Sequence, residues 1–226
     1  MRLMNLLVNV MHTFASDSGI VVGTSAARPT PISKIVFPVG LPLYDRHLVY
    51  IAERCPELKS ISFPCAENIT GRGITRAMRF WTGMEEIIYG PFSYPPLYDL
   101  NLSRTVEEFA TNCKNLRRLQ LNCFELNWQS ADIIVRNLKS VKSLCLGGVN
   151  IHKYGLQIFL SRCKKLDILK FVCSILVRRG NGEFVGEMNI MRIQEGRRTR
   201  WSTDRFPRET GKLHTSKELV DLLWKR

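Results

Sequence analysis

The sequence predicts an α/β fold of stacked strand-plus-helix units, and three observations predict it. One is a register, clearest in Cys113-Lys-Asn-Leu116-Arg-Arg-Leu119-Gln-Leu121-Asn-Cys123, which reads C-x-x-L-x-x-L-x-L-x-C. The second is recurrence. Leu58/Ile61/Phe63, Val141/Leu144/Leu146 and Leu166/Leu169/Phe171 repeat the pattern, Met84/Ile87/Tyr89 repeats it loosely, and Ile32/Ile35/Phe37 gives a first copy. The third is spacing: the copies start at 32, 58, 84, 116, 141 and 166, in steps of 26, 26, 32, 25 and 25. A near-constant period of this length is that of a leucine-rich repeat, where each unit is one strand and one helix. The expected architecture is a right-handed leucine-rich-repeat solenoid, a ribonuclease-inhibitor-like horseshoe arc with parallel strands on the concave face and helices on the convex face.

The spacing within each copy has a physical sense. The last two apolar residues of L-x-x-L-x-L sit two apart, on one face of a short strand, while the residues between and beside them point to the other face. A single unit cannot bury that apolar row, so neighbours must bury it jointly against their helices. The long step of 32 contains Tyr94-Pro95-Pro96-Leu97-Tyr98, which reads as a loop insertion.

Residues 1–29 are expected to form a repeat helix and a connector. Leu3, Leu7, Val10 and Phe14 fall at helical spacing and Asn5 and Asn9 interrupt the apolar run, which fits a repeat helix better than a secretory leader. The chain would then begin on the helix half of a repeat, with a strand half upstream, as a truncated product would. Residues 30–174 hold the repeat array. Asp45 is the expected cap of a helix carrying Leu48, Ile51 and Ala52 that stops at Cys55-Pro56. Further helices are expected over Ile74 to Trp81, from Thr105 to Cys113, over Ser130 to Leu138 and from Tyr154 to Cys163. Residues 175–226 change character, with Arg197-Arg-Thr-Arg200 and few large apolar residues, and are expected to be a basic, poorly ordered tail with a short helix at 216–225.

Cysteine usage points to a reducing compartment, cytoplasm or nucleus. Cys55, Cys113 and Cys163 share one repeat position and Cys65, Cys123 and Cys173 another, both buried positions in this register, while Cys145 should face out. Three C-x9-C pairs do not fit zinc spacing, and no cofactor or metal is expected. No apolar run approaches the roughly 20 residues of a membrane-spanning helix. His12, His47, His152 and His214 are scattered, and no catalytic or phosphate-loop motif is present, so an enzyme is not expected.

The net charge of +13 is dispersed over repeats and tail. With no aromatic-interleaved groove, nucleic acid is the lesser explanation of it. The better candidate site is the face of the strands turned away from the helices. Its expected residues are Lys34, Ser60, Ser62, Glu86, Ile88, Arg118, Gln120, Asn122, Ser143, Cys145, Ile168 and Lys170, with Val36 among them. Lys59, Arg117 and Lys142 would add to a mainly basic rim, with Glu85, Glu86 and Asp167 interrupting it. Such a face is the usual site for a protein partner in stacked repeats.

The stretches Ala52-Glu-Arg-Cys-Pro-Glu-Leu58, Gly73-Ile-Thr-Arg-Ala-Met-Arg-Phe-Trp81 and Glu108-Phe-Ala-Thr-Asn-Cys-Lys-Asn-Leu116 resemble plant F-box/leucine-rich-repeat proteins, over roughly residues 30 to 173. The resemblance implies the substrate-recognition part of an SCF-type E3 ubiquitin ligase, whose F-box binds a Skp1-type adaptor while the repeats hold the target. No F-box is visible before the repeats, and Leu41-Pro42 only faintly matches the start of one. A Skp1-type adaptor is therefore expected only with an F-box upstream. The alternative is a stand-alone scaffold or decoy that binds a protein target without a ligase role.

Overall fold

The computed structural model describes residues 32–38, 40–63, 66–90, 102–122, 125–163, 166–177, 184–195 and 198–203, with side chains up to Val172 apart from residue 103. The order is β1 (Lys34–Val36), α1 (Asp45–Arg54), β2 (Ser60–Phe63), α2 (Gly71–Met78), β3 (Glu86–Tyr89), α3 (Leu102–Asn112) and β4 (Arg118–Asn122). There follow β5 (Glu125–Leu126), α4 (Trp128–Asn137), β6 (Ser143–Gly147), β7 (Asn150–His152), α5 (Lys153–Arg162), β8 (Ile168–Val177), β9 (Phe184–Glu195) and β10 (Arg198–Thr203). This is an α/β fold with a mostly parallel sheet and five described helices, of leucine-rich-repeat-like type.

Parallel pairing runs β1-β2-β3-β4-β6-β8. In register, Lys34, Ser60, Glu86, Arg118, Ser143 and Ile168 form one row across the sheet. Those positions reproduce the sequence steps of 26, 26, 32, 25 and 25. Every junction enters the ladder in the same way. The carbonyls of Ser33, Lys59, Glu85, Arg117 and Lys142 each accept two successive N–H groups from the next unit, at 2.8–3.0 Å. One carbonyl thus takes both the residue before each strand and the strand's first residue.

The apolar row does what its spacing demands. Leu58, Ile61 and Phe63 are fully buried, as are their counterparts from Met84, Ile87 and Tyr89 to Leu166, Leu169 and Phe171. At the terminal unit Ile32 and Ile35 are only half-buried, because no described strand lies beyond β1. Each helix turns an i, i+3, i+4 face inward: Leu48, Ile51 and Ala52 on α1, and Ile74, Ala77 and Met78 on α2. Edge-to-face rings join sheet to helix, Phe63 to Tyr89 at 5.1 Å and Tyr89 to Phe109 at 5.8 Å. Burial pushes the Tyr89 hydroxyl up to about 12.

Helix starts differ from the sequence expectations. Asp45 is the first residue of α1, and its carboxylate accepts from Thr70 N–H at 2.7 Å and Thr70 Oγ1 at 2.6 Å. It therefore ties α1 to the cap of α2 rather than capping its own helix. Thr70 caps α2, four residues before the expected start at Ile74, and Asn127 caps α4 through Gln129 and Ser130 N–H groups. Gly73 has to lack a side chain, since a Cβ there would meet the Asp45 carboxylate.

At the start of α1, Tyr44 N–H donates to Nδ1 of the buried His47 at 3.3 Å, while Arg46 Nε lies 3.4 Å from Nε2. A neutral ring accepts at one nitrogen only, so the guanidinium acts mainly as a nearby like charge. Burial first, and Arg46 second, hold the His47 pKa below its ordinary value of 6.5. The native state thus favours the neutral ring. That contribution is complete above about pH 6.5 and is lost as pH falls through the native pKa. His47→Gln keeps an acceptor at the third helical position without titrating. Wild type is expected to lose stability relative to this variant between pH 7 and pH 5; parallel melting curves would refute the assignment.

Each helix-to-strand corner holds one residue five positions before its strand: Cys55, Trp81, Cys113, Leu138 and Cys163. Two of these corners are linked through their side chains. Trp81 Nε1–H donates to the Cys55 carbonyl at 3.0 Å, and Cys113 Sγ lies 3.5 Å from the Trp81 carbonyl. A side chain with a donor thus satisfies a main-chain acceptor of the preceding unit. Burial pushes the Cys113 thiol up to about 12, which makes it an inert packing group.

Three features lie outside the expectations. β5, β7 and the far half of β8 form a second parallel ladder, Glu125↔Asn150↔Ile175. β9 pairs antiparallel with β8, and β10 antiparallel with β9, in residues where the sequence predicts a poorly ordered tail. Their pairing with one another and of β9 with β8 defines them; in β9 only the short runs Met188/Ile190 and Met191/Ile193 alternate. The third is the half-burial of Cys163. The expected helices at residues 1–14 and 216–225, the 91–101 insertion and the side chains of Cys65, Cys123 and Cys173 lie outside the described residues.

Candidate functional site

Strand parity builds the site. With the leucine-type positions facing the helices, the intervening residues of six strands come up in register on the opposite face. The first row is Lys34, Ser60, Glu86, Arg118, Ser143 and Ile168; the second is Val36, Ser62, Ile88, Gln120, Cys145 and Lys170. Asn122, Gly147 and Val172 begin a third. All twelve expected residues therefore belong to one face of one sheet, but they are not equally accessible. Lys34, Arg118 and Lys170 are exposed; Ser60, Glu86, Ile88, Gln120, Ser143, Cys145 and Ile168 are half-buried. Ser62 and Asn122 are buried and offer a partner little surface.

Glu86 organises the near half. Ser60 Oγ donates to its Oε2 at 2.8 Å and Arg118 Nε to its Oε1 at 3.0 Å, so one carboxylate ties three neighbouring strands. Lys59 pairs with Glu85 at 3.2 Å on the adjoining row. The face is accordingly less basic than the sequence predicts, because two of its cations are neutralised. These are exposed pairs, each contributing up to about 1 kcal/mol, so they orient side chains more than they stabilise the fold.

The far half is flatter. Gln120 Nε2 donates to Asn122 Oδ1 at 3.0 Å, and that oxygen lies where a Cβ on Gly147 would be. Asn122 Nδ2 is buried and has no hydrogen-bond partner among the described residues. Gly90, with φ +108°, leaves its α-carbon against the Asn122 carbonyl oxygen on the other side. Cys145 sits on this half, with burial raising its thiol pKa and the Lys170 ammonium opposing that rise. Two exposed valines, Val36 at 60% and Val172 at 40%, give apolar contact area at opposite ends of the face. The parity that places Lys170 also places Val172, which the sequence reading passed over.

Elsewhere, a cavity of about 350 Å³ lies at the C-terminal ends of α4 and α5, lined mainly by Ile134, Leu138, Val141, Leu144 and Leu166, with Lys139 and Arg162 beside them. It adjoins Leu138, which stands in the corner position that Trp81 fills in its own unit. Among the described residues no group of three or more His, Cys, Asp or Glu is placed to hold a metal ion. No described helix is long and apolar enough to cross a membrane.

No family model matches the chain. It is 30% identical over 144 residues to an F-box/LRR-repeat protein of Arabidopsis thaliana, a match that covers 63% of this chain and 44% of the relative. The chain thus spans less than half the length of that protein, and the relationship to F-box/LRR proteins is a distant one.

Proposed function

We propose that this protein is a non-catalytic, protein-binding leucine-rich-repeat module, with the sheet curved into a solenoid whose concave face receives the partner. The observation that carries this reading is the register of the outer face. Six strands present two full rows of polar and small apolar side chains, one residue per unit per row. A surface assembled this way is broad, rigid and chemically mixed, which suits a folded protein or an extended peptide better than a small molecule. The distant F-box/LRR relative supports a finer version, the substrate-recognition part of an SCF-type ubiquitin ligase acting in cytoplasm or nucleus.

Two measurements test it. Photo-crosslinkers placed at Gln120 and at Arg136, on the helix side, should behave differently: the first captures a partner and the second does not. Arg118→Glu combined with Lys170→Glu should weaken that partner by about tenfold or more while the protein stays folded, with a loss of about 1 kcal/mol from the Glu86 pair. Equal capture from both faces overturns the assignment of the face. Calorimetry against a Skp1-type adaptor at low and high salt addresses the finer reading. Salt-resistant binding supports a ligase subunit, whereas its absence leaves an interaction scaffold.

A further inference from the structure

We propose that the exposed side of α2 is a second docking surface, for an acidic helical peptide segment bearing an apolar anchor. This is independent of the strand-face reading, since α2 lies in the helix layer.

Arg72, Arg76 and Arg79 occur at i, i+4 and i+7 and are all exposed. Over that interval they form a stripe about 10 Å long. None of the three has an ion pair or hydrogen-bonded side-chain partner among the described residues. Several other described cations are held by partners. Arg136 and Arg162 share Asp132, Arg118 and Lys59 take Glu86 and Glu85, and Lys114 Nζ donates to the Ala110 carbonyl. The chain pairs its helix-layer arginines on α4 and α5 and leaves those of α2 open.

The placement is unfavourable by itself. Arg72 stands in the first turn of α2, where the helix dipole disfavours a cation, and no acidic residue lies in that turn. Asp45, bound to Thr70 at the helix start, offsets part of that charge, but neither it nor Glu108, which accepts from Thr75 and Asn112, pairs with an arginine of the stripe. Three like charges at helical neighbour spacing repel one another, and a bound polyanion turns that repulsion into attraction.

The geometry favours a peptide over nucleic acid. Carboxylates at the same helical spacing meet guanidinium forks one to one. Directly after Arg79, Phe80 keeps 40% of its surface exposed, an apolar contact at the end of the stripe. Three phosphate contacts alone would give a duplex only weak, salt-fragile binding.

The test is fluorescence anisotropy of the full chain with a labelled helical peptide. The peptide carries glutamates at i, i+4 and i+7 and a leucine one turn beyond. The triple variant R72Q/R76Q/R79Q should weaken binding by about tenfold or more, and F80A by about threefold. R118E should leave it unchanged, and the triple variant should keep the circular dichroism melt of the wild type. A glutamine version of the peptide should not bind. Failure of the wild type to bind, or equal binding by the triple variant, overturns the proposal. So does tighter, arginine-dependent binding of a 15-nucleotide single strand, which would reassign the stripe to nucleic acid.

Discussion

Trp81→Ala is expected to destabilise the protein by about 4 kcal/mol, the cost of deleting a fully buried large aromatic from a core that cannot collapse around it. Trp81 is the largest fully buried side chain and sits where α2 turns into β3. Its effect should cross repeat boundaries. The indole donates back to Cys55 of the preceding unit, and its own carbonyl receives the Cys113 thiol of the following one. Trp81→Phe separates the two contributions. It retains most of the ring and loses the hydrogen bond, for which about 1 kcal/mol is expected, because the Cys55 carbonyl keeps its bond from Leu58 N–H. Urea unfolding followed by circular dichroism measures both. A loss below about 1.5 kcal/mol for the alanine variant would mean that the corner repacks freely.

The same corner shows what the sequence could reveal. Cysteines at 55, 113 and 163 announce a shared position, because one residue type recurs at one offset from the leucine register. That Trp81 and Leu138 occupy the identical corner was hidden, since neither repeats the residue type. Only the constant distance of five residues to the following strand identifies them. A period, in other words, is legible where chemistry recurs and obscure where the same space is filled by different shapes.

Other limits have equally specific causes. The strands of the first ladder were legible because two buried positions two apart impose a parity on each of them. β5 and β7, two and three residues long, are too short to carry an alternation, and they exist only as neighbours in a ladder. On the candidate face, parity gave the direction of all twelve side chains but not their cover. Asn122 points outward like Gln120 and is still buried, since Gly147 lets it lie flat against the sheet. Charge was overread for a related reason: a lysine or arginine can be counted in a sequence, but Glu85 and Glu86 neutralise theirs only after strands 26 and 32 residues apart are paired.

Gly155→Ala should cost about 2–3 kcal/mol, against the usual sign for such a change. In an exposed helix, replacing glycine by alanine stabilises by up to about 1 kcal/mol, through propensity and a less mobile unfolded chain. Gly155 lies in the first turn of α5, where a Cβ would run into the Leu126 carbonyl oxygen and come within 2.7 Å of the Asn127 oxygen. Both atoms are main chain, one in β5 and one at the cap of α4, so neither can swing aside. Gly71 provides the contrast. It opens α2, and its Cβ would meet Arg104 Cδ at 2.8 Å, the flexible part of an exposed side chain. Gly71→Ala is therefore expected to be neutral or slightly stabilising, although both glycines sit at a helix start. Thermal melts of the two variants decide the matter, and equal shifts would show that propensity rather than the close approach governs both. The consequence reaches the binding face. Because Gly155 lets α5 seat directly on the β5 backbone, it sets how closely the last units stack. A wedge there should spread the β5–β7 ladder and shift Lys170 and Val172 relative to Gln120, weakening a partner that spans the face without touching any residue it contacts.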